Sequence, residues 1–364
     1  MSTTDTRNSN AKQYVDDKIK AVRSKAMGSK ELASYSDEIA ILDQLIPINA
    51  NGFRGVVLTS IVGMYLDDTF DPSVNFYNCN PRSIFEKGIY YALEDNNIPC
   101  GKSDPLNVAK NIQQLDSKWA KGRRPESAAL AAVEYIELLV SNRNTPTYEN
   151  LVNLFFQRLS DYGSFVSTKN FAISTKTIND IALITANKLA SFVVECSEGG
   201  SNTQYITGLL LKYVREDNGN FIDVVGYDES VFGTNTTSKK PADIWEILSD
   251  GTYGNLYEIT VKIVDNKRLD DCVDSLNKLN LQDNPVTFIC DLPANTNTLS
   301  LVDYVCIHKN VAFQFIDIKE FIKTSFCLLT MAQRAAFLTE VQNYVFSVKR
   351  AVKTKDYWKT HFGI

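Results

Sequence analysis

The sequence predicts an α/β protein, in which a helical N-terminal region precedes a mixed central sheet flanked by helices. Two observations predict this fold class. Apolar residues recur at helical spacing through the first half of the chain, and short β-rich runs alternate with helices in the second half. The chain has 364 residues, 44% of them hydrophobic, which suffices for two medium domains with cores of their own. We predict a disordered tail, a helical region and an α/β region, bounded as 1–12, 13–168 and 169–364.

Four segments of the N-terminal region have helical patterns. Val15, Ile19 and Val22 are spaced four and then three residues apart, which places them on one helix face. In another segment Ser83 is the candidate N-cap, and Glu86 stands three residues later, as in a capping box. The predicted helices are residues 12–27, 54–66, 83–93 and 125–140.

The C-terminal region begins with two further predicted helices, 177–196 and 202–216. Runs rich in β-branched and aromatic residues then predict strands, and one helix separates the third run from the fourth. We also predict a short helix near 300–308 and a closing helix or helix pair over 331–353. The predicted strands and the intervening helix are 221–232, 243–248, 256–264, 268–281, 285–292 and 311–318.

The composition narrows the function classes. Seven cysteines occur singly, without a CxxC pair, and only two histidines are present, so zinc sites and His-based triads are disfavoured. A net charge of −5 does not exclude a nucleic-acid partner, because binding depends on where positive charge lies. No apolar run approaches the ~18 residues that span a bilayer, and the N-terminus lacks a signal-peptide pattern. We expect a cytoplasmic protein without a membrane partner.

A candidate catalytic hairpin lies in the C-terminal region. Asp243 opens one predicted strand, a turn rich in Gly, Asp and Asn follows, and a second strand returns. Side chains alternate along a strand, so Glu258, Thr260 and Lys262 are expected on one face, with Ile259, Val261 and Ile263 buried on the other. An exposed hairpin face would show the same pattern without any catalytic role.

These residue types suit phosphodiester hydrolysis. Mg²⁺ takes hard oxygen ligands and commonly needs only one or two protein carboxylates, which Asp243 and Glu258 can supply. Lys262 can position a metal-bound water or stabilise developing negative charge. Thr260 is an accessory candidate that can hold a water.

The stretch from Pro241 to Lys262 resembles the PD-(D/E)xK nuclease superfamily, and the order of helices and strands around it is similar. The chain departs from the motif in two places, because Ala242 separates the proline from the aspartate and Thr260 stands where an acid is usual. Glu258 lies four residues before Lys262, on the same predicted strand face. The resemblance implies a restriction-endonuclease-like core and Mg²⁺ as the cofactor.

Within that superfamily, the layout is similar to the SacI-like type II restriction endonucleases, and residues 80–111 resemble their N-terminal region. This resemblance implies site-specific cleavage of double-stranded DNA by a homodimer, in which two-fold protein symmetry matches a two-fold site. Basic residues near indole, Asn and Ser side chains, or directly before Asp243, are the candidate DNA contacts, although such clusters are also typical of solvated surface. These candidates are Arg82, Lys87, Lys102, Lys118, Lys121, Arg123, Arg124, Lys239 and Lys240.

Two alternatives remain open. The first is another PD-(D/E)xK nuclease that acts in repair, at junctions or in defence, and selects its substrate by structure. The second is a catalytically inactive DNA-binding protein, an interpretation that Thr260 at an acidic position favours. The large helical region favours a type II restriction endonuclease, because sequence recognition needs a dedicated surface.

Overall fold

The computed structural model describes residues 3–48, 50–169, 182–216, 222–229, 240–347 and 349–362. It confirms an α/β protein with a helical N-terminal region and a mixed sheet. The chain forms two compact units, Met1–Asn170 with Ser347–Val352, and Phe171–Phe346 with Lys353–Ile364. We predicted the change of region after residue 168 and did not anticipate that 347–352 belongs to the first unit.

The first unit is helical over its described residues. Its core contains Phe53, Phe85, Tyr135 and Phe155, all fully buried, from helices spread along the unit. The predicted helices over 54–66 and 125–140 are confirmed as α4 and α10. The helices are α1 Thr3–Ser24, α2 Ser29–Leu32, α3 Ser36–Leu45, α4 Asn51–Leu66, α5 Pro72–Asn75, α6 Pro81–Ile84, α7 Tyr90–Asp95, α8 Asp104–Ala109, α9 Ser117–Ala120, α10 Glu126–Ser141 and α11 Pro146–Ser167.

Two predictions for this unit were wrong. The segment 1–12, predicted as a disordered tail, is helical from Thr3 onward. Asn8 and Ala11 of this helix are buried against the rest of the unit, which stabilises the helix. The helix predicted over 83–93 is confirmed, since helical segments run without a break from Pro81 to Asp95. Its predicted N-cap was wrong, because Asn80 and not Ser83 is the cap, and the side chain of Asn80 accepts a hydrogen bond from the Ser83 backbone N–H. Glu86 does not complete a capping box, since its carboxylate accepts from the hydroxyl of Ser103 at 2.8 Å.

The second unit contains the sheet. Its strand order is β1-β2-β3-β4-β6-β5; β1, β2 and β3 pair antiparallel, β3, β4 and β6 run parallel, and β5 returns antiparallel to β6. The predicted order of helix, three strands, helix and strand is confirmed. The elements are α12 Ala182–Glu195, α13 Ser201–Glu216, β1 Asp223–Val225, β2 Ile244–Ile247, β3 Tyr253–Thr260, α14 Asn266–Leu279, β4 Val286–Cys290, β5 Val305–His308, β6 Val311–Asp317, α15 Ile318–Leu328, α16 Met331–Phe346 and α17 Val352–Phe362.

The sheet has an apolar core on each face. Tyr257 and Ile259 of β3 belong to a cluster with residues of α12, α13 and α15. Leu256 of the same strand belongs to a second cluster, with Leu269 and Leu276 of α14. Alternation along β3 thus directs successive side chains toward different helices.

Two predictions for this unit need correction, and two others fall partly outside the described residues. The strand predicted over 256–264 ends at Thr260. The short helix predicted near 300–308 is a turn followed by β5, and a two-residue turn joins β5 to β6 in a hairpin. Residues 177–181 of a predicted helix and parts of the run 221–232 lie outside the described residues. Among the described helices, none is both long and apolar enough to cross a membrane.

Candidate active site at the edge of the sheet

The candidate site lies where β2 begins and β3 ends. The strands are antiparallel with Ile244 opposite Tyr257, so Asp243, one residue before β2, lies opposite Glu258. The Oδ2 atom of Asp243 accepts a hydrogen bond from the backbone N–H of Ile259 at 3.0 Å. Directly opposed residues on neighbouring strands have Cβ atoms about 5 Å apart. The fold therefore brings the predicted acidic pair together.

Glu258 is a buried carboxylate, 5% exposed. It has the same orientation along β3 as Leu256, which packs against α14. On that helix, burial raises the pKa of the Cys272 thiol well above its ordinary value, and the negative charges of Glu258 and Asp243 raise it further. Both carboxylates therefore lie close enough to the Cys272 thiol, on the α14 side of the sheet, to affect its pKa.

Lys262 does not lie on the strand, contrary to our prediction. The Thr260 hydroxyl accepts a hydrogen bond from the Lys262 backbone N–H at 3.0 Å, and this contact turns the chain away as β3 ends. Lys262 is exposed, Val261 is half-buried and Ile263 is 57% exposed, so the predicted alternation stops at Thr260. Lys262 stays two residues from the strand end that carries Glu258, on a short connection to α14.

The donor set fits Mg²⁺ better than a metal that needs many protein ligands. Across the described residues, no group of three or more His, Cys, Asp or Glu side chains converges on a possible metal position. Asp243 and Glu258 form a pair of hard oxygen ligands, which suits a Mg²⁺ ion that keeps several waters. They would hold the ion, and Thr260, with its hydroxyl already accepting one hydrogen bond, would contribute at most a water contact.

A second buried glutamate on the neighbouring strand has a different environment. Glu246 is 1% exposed, and its Oε1 accepts from Arg215 Nε and Tyr257 Oη, each at 2.8 Å. Its Oε2 accepts from Asn255 Nδ2 at 2.8 Å and, more weakly, from the Asn255 backbone N–H at 3.3 Å. Charge and hydrogen-bonding capacity are both satisfied within the fold, so Glu246 is a structural acid.

The two lysines predicted beside the scissile phosphate have different outcomes. Lys239 lies outside the described residues. Lys240 is half-buried and forms an ion pair with Glu229. Part of its positive charge is therefore offset within the protein, which makes it a weaker candidate for a phosphate contact than an unpaired lysine.

The seven candidate DNA contacts of the first unit carry more available charge. Six of them are exposed and Arg123 is half-buried. None forms an ion pair with any residue in the described part of the chain. Unpaired surface cations are the groups that neutralise phosphates in nucleic-acid complexes. The seven are Arg82, Lys87, Lys102, Lys118, Lys121, Arg123 and Arg124.

Aromatic side chains support two of these cations. The Nζ atom of Lys102 lies 6.0 Å from the ring centre of Tyr90 and 5.7 Å from that of Tyr91. The guanidinium of Arg123 lies 5.9 Å from the ring centre of Trp119, whose backbone carbonyl accepts from Arg123 Nε at 3.3 Å. Trp119 is buried and part of the core, so it anchors this basic segment and does not stack on a ligand.

Sequence reasoning missed one charged residue at the site's edge. Arg268 lies in the first turn of α14, only six residues after Lys262. A cation in the first turn opposes the helix dipole, and this was the available signal. It was overlooked because the superfamily motif ends at Lys262.

Comparison of the chain with known protein families and with curated proteins finds no match. The resemblance to the PD-(D/E)xK nucleases therefore depends on the residues themselves and on the order of elements around them. The geometry places Asp243 beside Glu258 at one end of the sheet and leaves Lys262 exposed just beyond. Such an arrangement is chemically suited to binding a hard divalent cation and a phosphate group.

Proposed function

We propose that this protein is a Mg²⁺-dependent type II restriction endonuclease, which hydrolyses phosphodiester bonds of duplex DNA at a short specific site. The observation that carries the proposal is the opposed pair of carboxylates, Asp243 and Glu258, at the edge where β2 begins and β3 ends. Directly opposed carboxyl groups on neighbouring strands bring hard oxygen ligands within reach of one cation, which supports a cation-binding role.

In the proposed reaction, a water oxygen bonds to phosphorus while one ester P–O bond breaks. One water proton is released to solvent and the leaving oxygen takes a proton, which gives an alcohol and a phosphomonoester. When bound, Mg²⁺ lowers the pKa of its water and offsets charge on the phosphate. Asp243 and Glu258 would orient the ion, and Lys262 would position the water or stabilise the growing negative charge.

The unpaired cations of the first unit support a nucleic-acid substrate. Lys102 and Arg124 belong to this exposed, basic set, in a chain whose net charge is −5. Exposed cations outside ion pairs are the groups that contact nucleic-acid phosphates. A homodimer would supply two active sites, one for each strand of a palindrome.

A second candidate function is DNA binding without cleavage. The observation that favours it is the Thr260 hydroxyl, which stands where the superfamily has an acid and accepts from the Lys262 backbone N–H. Under this alternative, the Asp243–Glu258 pair would remain from an ancestral site.

The test is to incubate the purified full chain with plasmid and phage DNA, in Mg²⁺ and in EDTA. We expect discrete fragments with Mg²⁺ only, and rates reduced by roughly a hundredfold or more in Lys262→Ala and Asp243→Asn. Lys278→Ala, which removes another exposed lysine at the far end of α14, should cleave normally.

Each other outcome points to a different conclusion. Intact DNA that is still retarded in gels would refute the nuclease and favour the binding protein. A Mg²⁺-dependent smear without discrete fragments would favour a nuclease that selects structure. Normal cleavage by both site variants would place the active site elsewhere.

A further inference from the structure

Arg268 lies at the same edge of the sheet as the acidic pair. The helix α14, Asn266–Leu279, connects β3 to β4, and these two strands are parallel neighbours. Such a crossover helix starts near the carboxyl ends of the strands and runs back along the sheet. Arg268 is the third residue of the helix, so it lies near Thr260, where β3 ends, and Cys290, where β4 ends.

The side chain of Arg268 is on the sheet-facing side of α14. Residues four apart share one face of a helix, and Cys272, four residues later, is 6% exposed within the core cluster under the sheet. Leu269, the next residue, is fully buried. Arg268 itself is half-buried, whereas Lys267, its neighbour in the same turn, is exposed.

The positive charge of Arg268 acts electrostatically on two buried thiols. Burial is the main cause that raises the pKa of Cys272, Glu258 and Asp243 raise it further, and Arg268 opposes them. Burial likewise raises the pKa of Cys290 to about 12, with a smaller opposing effect of Arg268. The guanidinium therefore lies close enough to the Cys272 thiol to affect its pKa, as do both carboxylates.

The charge of Arg268 is not part of an ion pair among the described residues. The hydrogen bond in which Arg268 appears is made by its backbone N–H to Asp265. A cation in the first helical turn is also unfavourable with respect to the helix dipole. A half-buried guanidinium kept at such a cost is suited to an anion that binds beside it, since its planar fork matches phosphate oxygens.

We propose that Arg268 is the phosphate-binding cation of the Asp243–Glu258 site. The proposal rests on the nuclease function proposed above and adds a residue that contacts the substrate. Arg268 binds the non-bridging oxygens of the scissile phosphate and stabilises the charge that grows there as water attacks. Lys262, exposed beyond the strand, is then free to act on the water.

The experiment compares wild type with Arg268→Ala and Arg268→Lys, and with Lys267→Ala as the matched control from the same helical turn. Two readouts are measured on the full chain. The first is the single-turnover rate of DNA cleavage in Mg²⁺, at saturating protein. The second is the affinity for inorganic phosphate, measured by calorimetry in Mg²⁺ and in EDTA, which needs no turnover. Thermal unfolding of each variant verifies the fold.

We expect Arg268→Ala to slow cleavage by roughly a hundredfold and to weaken phosphate binding at least about fivefold. Arg268→Lys should recover part of both, and Lys267→Ala should match wild type. Cleavage and phosphate binding at wild-type levels in Arg268→Ala would overturn the proposal while the nuclease function stands. A third outcome separates the two proposals. If wild type binds phosphate but cuts no DNA, and Arg268→Ala alone among the variants loses phosphate binding, the nuclease function fails and the anion site at Arg268 stands.

Discussion

Two buried glutamates on adjacent strands should respond differently to the same substitution. Glu246→Gln removes the charge that pairs with Arg215 and weakens the hydrogen bonds from Tyr257 and Asn255. Breaking a buried pair by removing one partner costs about 3–5 kcal/mol. Arg215 is 27% exposed at its side chain, so water recovers part of this, and we expect a loss of about 2–3 kcal/mol.

Glu258→Gln instead removes one of two opposed carboxylates. Two like charges about 5 Å apart repel by ~3 kcal/mol at an effective dielectric constant of 20. Because this repulsion is relieved, we expect Glu258→Gln to lower the free energy of unfolding without metal by less than Glu246→Gln does. A residue kept for cation binding is commonly held at a cost to stability.

The assay is urea unfolding in EDTA, followed by circular dichroism and by tryptophan fluorescence. Glu320→Gln serves as the control, because Glu320 is exposed and its ion pair among the described residues is with a lysine one turn later on its own helix. That substitution should change the free energy of unfolding by less than about 0.5 kcal/mol. If Glu258→Gln destabilises the protein as much as Glu246→Gln does, Glu258 is a structural acid and the reasoning about the site is refuted.

Two further predictions concern stability. Burial raises the pKa of Asp104 from 3.8 to about 6, with the Gly101 backbone N–H and Arg54 opposing it. The free energy of unfolding of wild type relative to Asp104→Asn should therefore be highest below about pH 4 and fall by at most ~3 kcal/mol as the pH rises through about 6. Unfolding curves of both proteins over this pH range measure the difference. A difference that rises with pH would contradict the prediction. Tyr304 lies in the tight turn before β5, has a φ of 60° and is 63% exposed. Tyr304→Gly should raise the free energy of unfolding by about 1 kcal/mol, because glycine adopts this φ without strain. A decrease would mean that contacts of the tyrosine ring outweigh the backbone strain.

The strongly patterned elements could be predicted from the sequence. The alanine-rich run starting after Pro125 became α10, and the apolar run from Val286 to Cys290 became the fully buried β4. In both, local propensity and burial favour the same structure. The order of helices and strands followed, and with it the proximity of Asp243 to the returning strand, because a short hairpin forces the two strands together.

Other features were decided only by tertiary contacts. The first helix extends to Thr3 because Asn8 and Ala11 find a core to enter, which their polar neighbours did not indicate. The segment near 300–308 forms β5 because β6 offers it a partner. Long-range pairing of this kind is invisible to local propensity.

The candidate site shows the same division. Alternation along the chain identified Glu258 and Thr260 as sharing a face, but it extended that face to Lys262. There the strand has already ended, and the Lys262 backbone N–H donates to the Thr260 hydroxyl. The hydrogen bonds of Glu246 depend on partners that only the fold supplies, and the proximity of Arg268 to Cys272 depends on the packing of α14. Sequence determined which charged residues this protein has near its hairpin; only the packing of α13 and α14 decided which of their charges are satisfied, because electrostatic compensation depends on distance in space and not on separation along the chain.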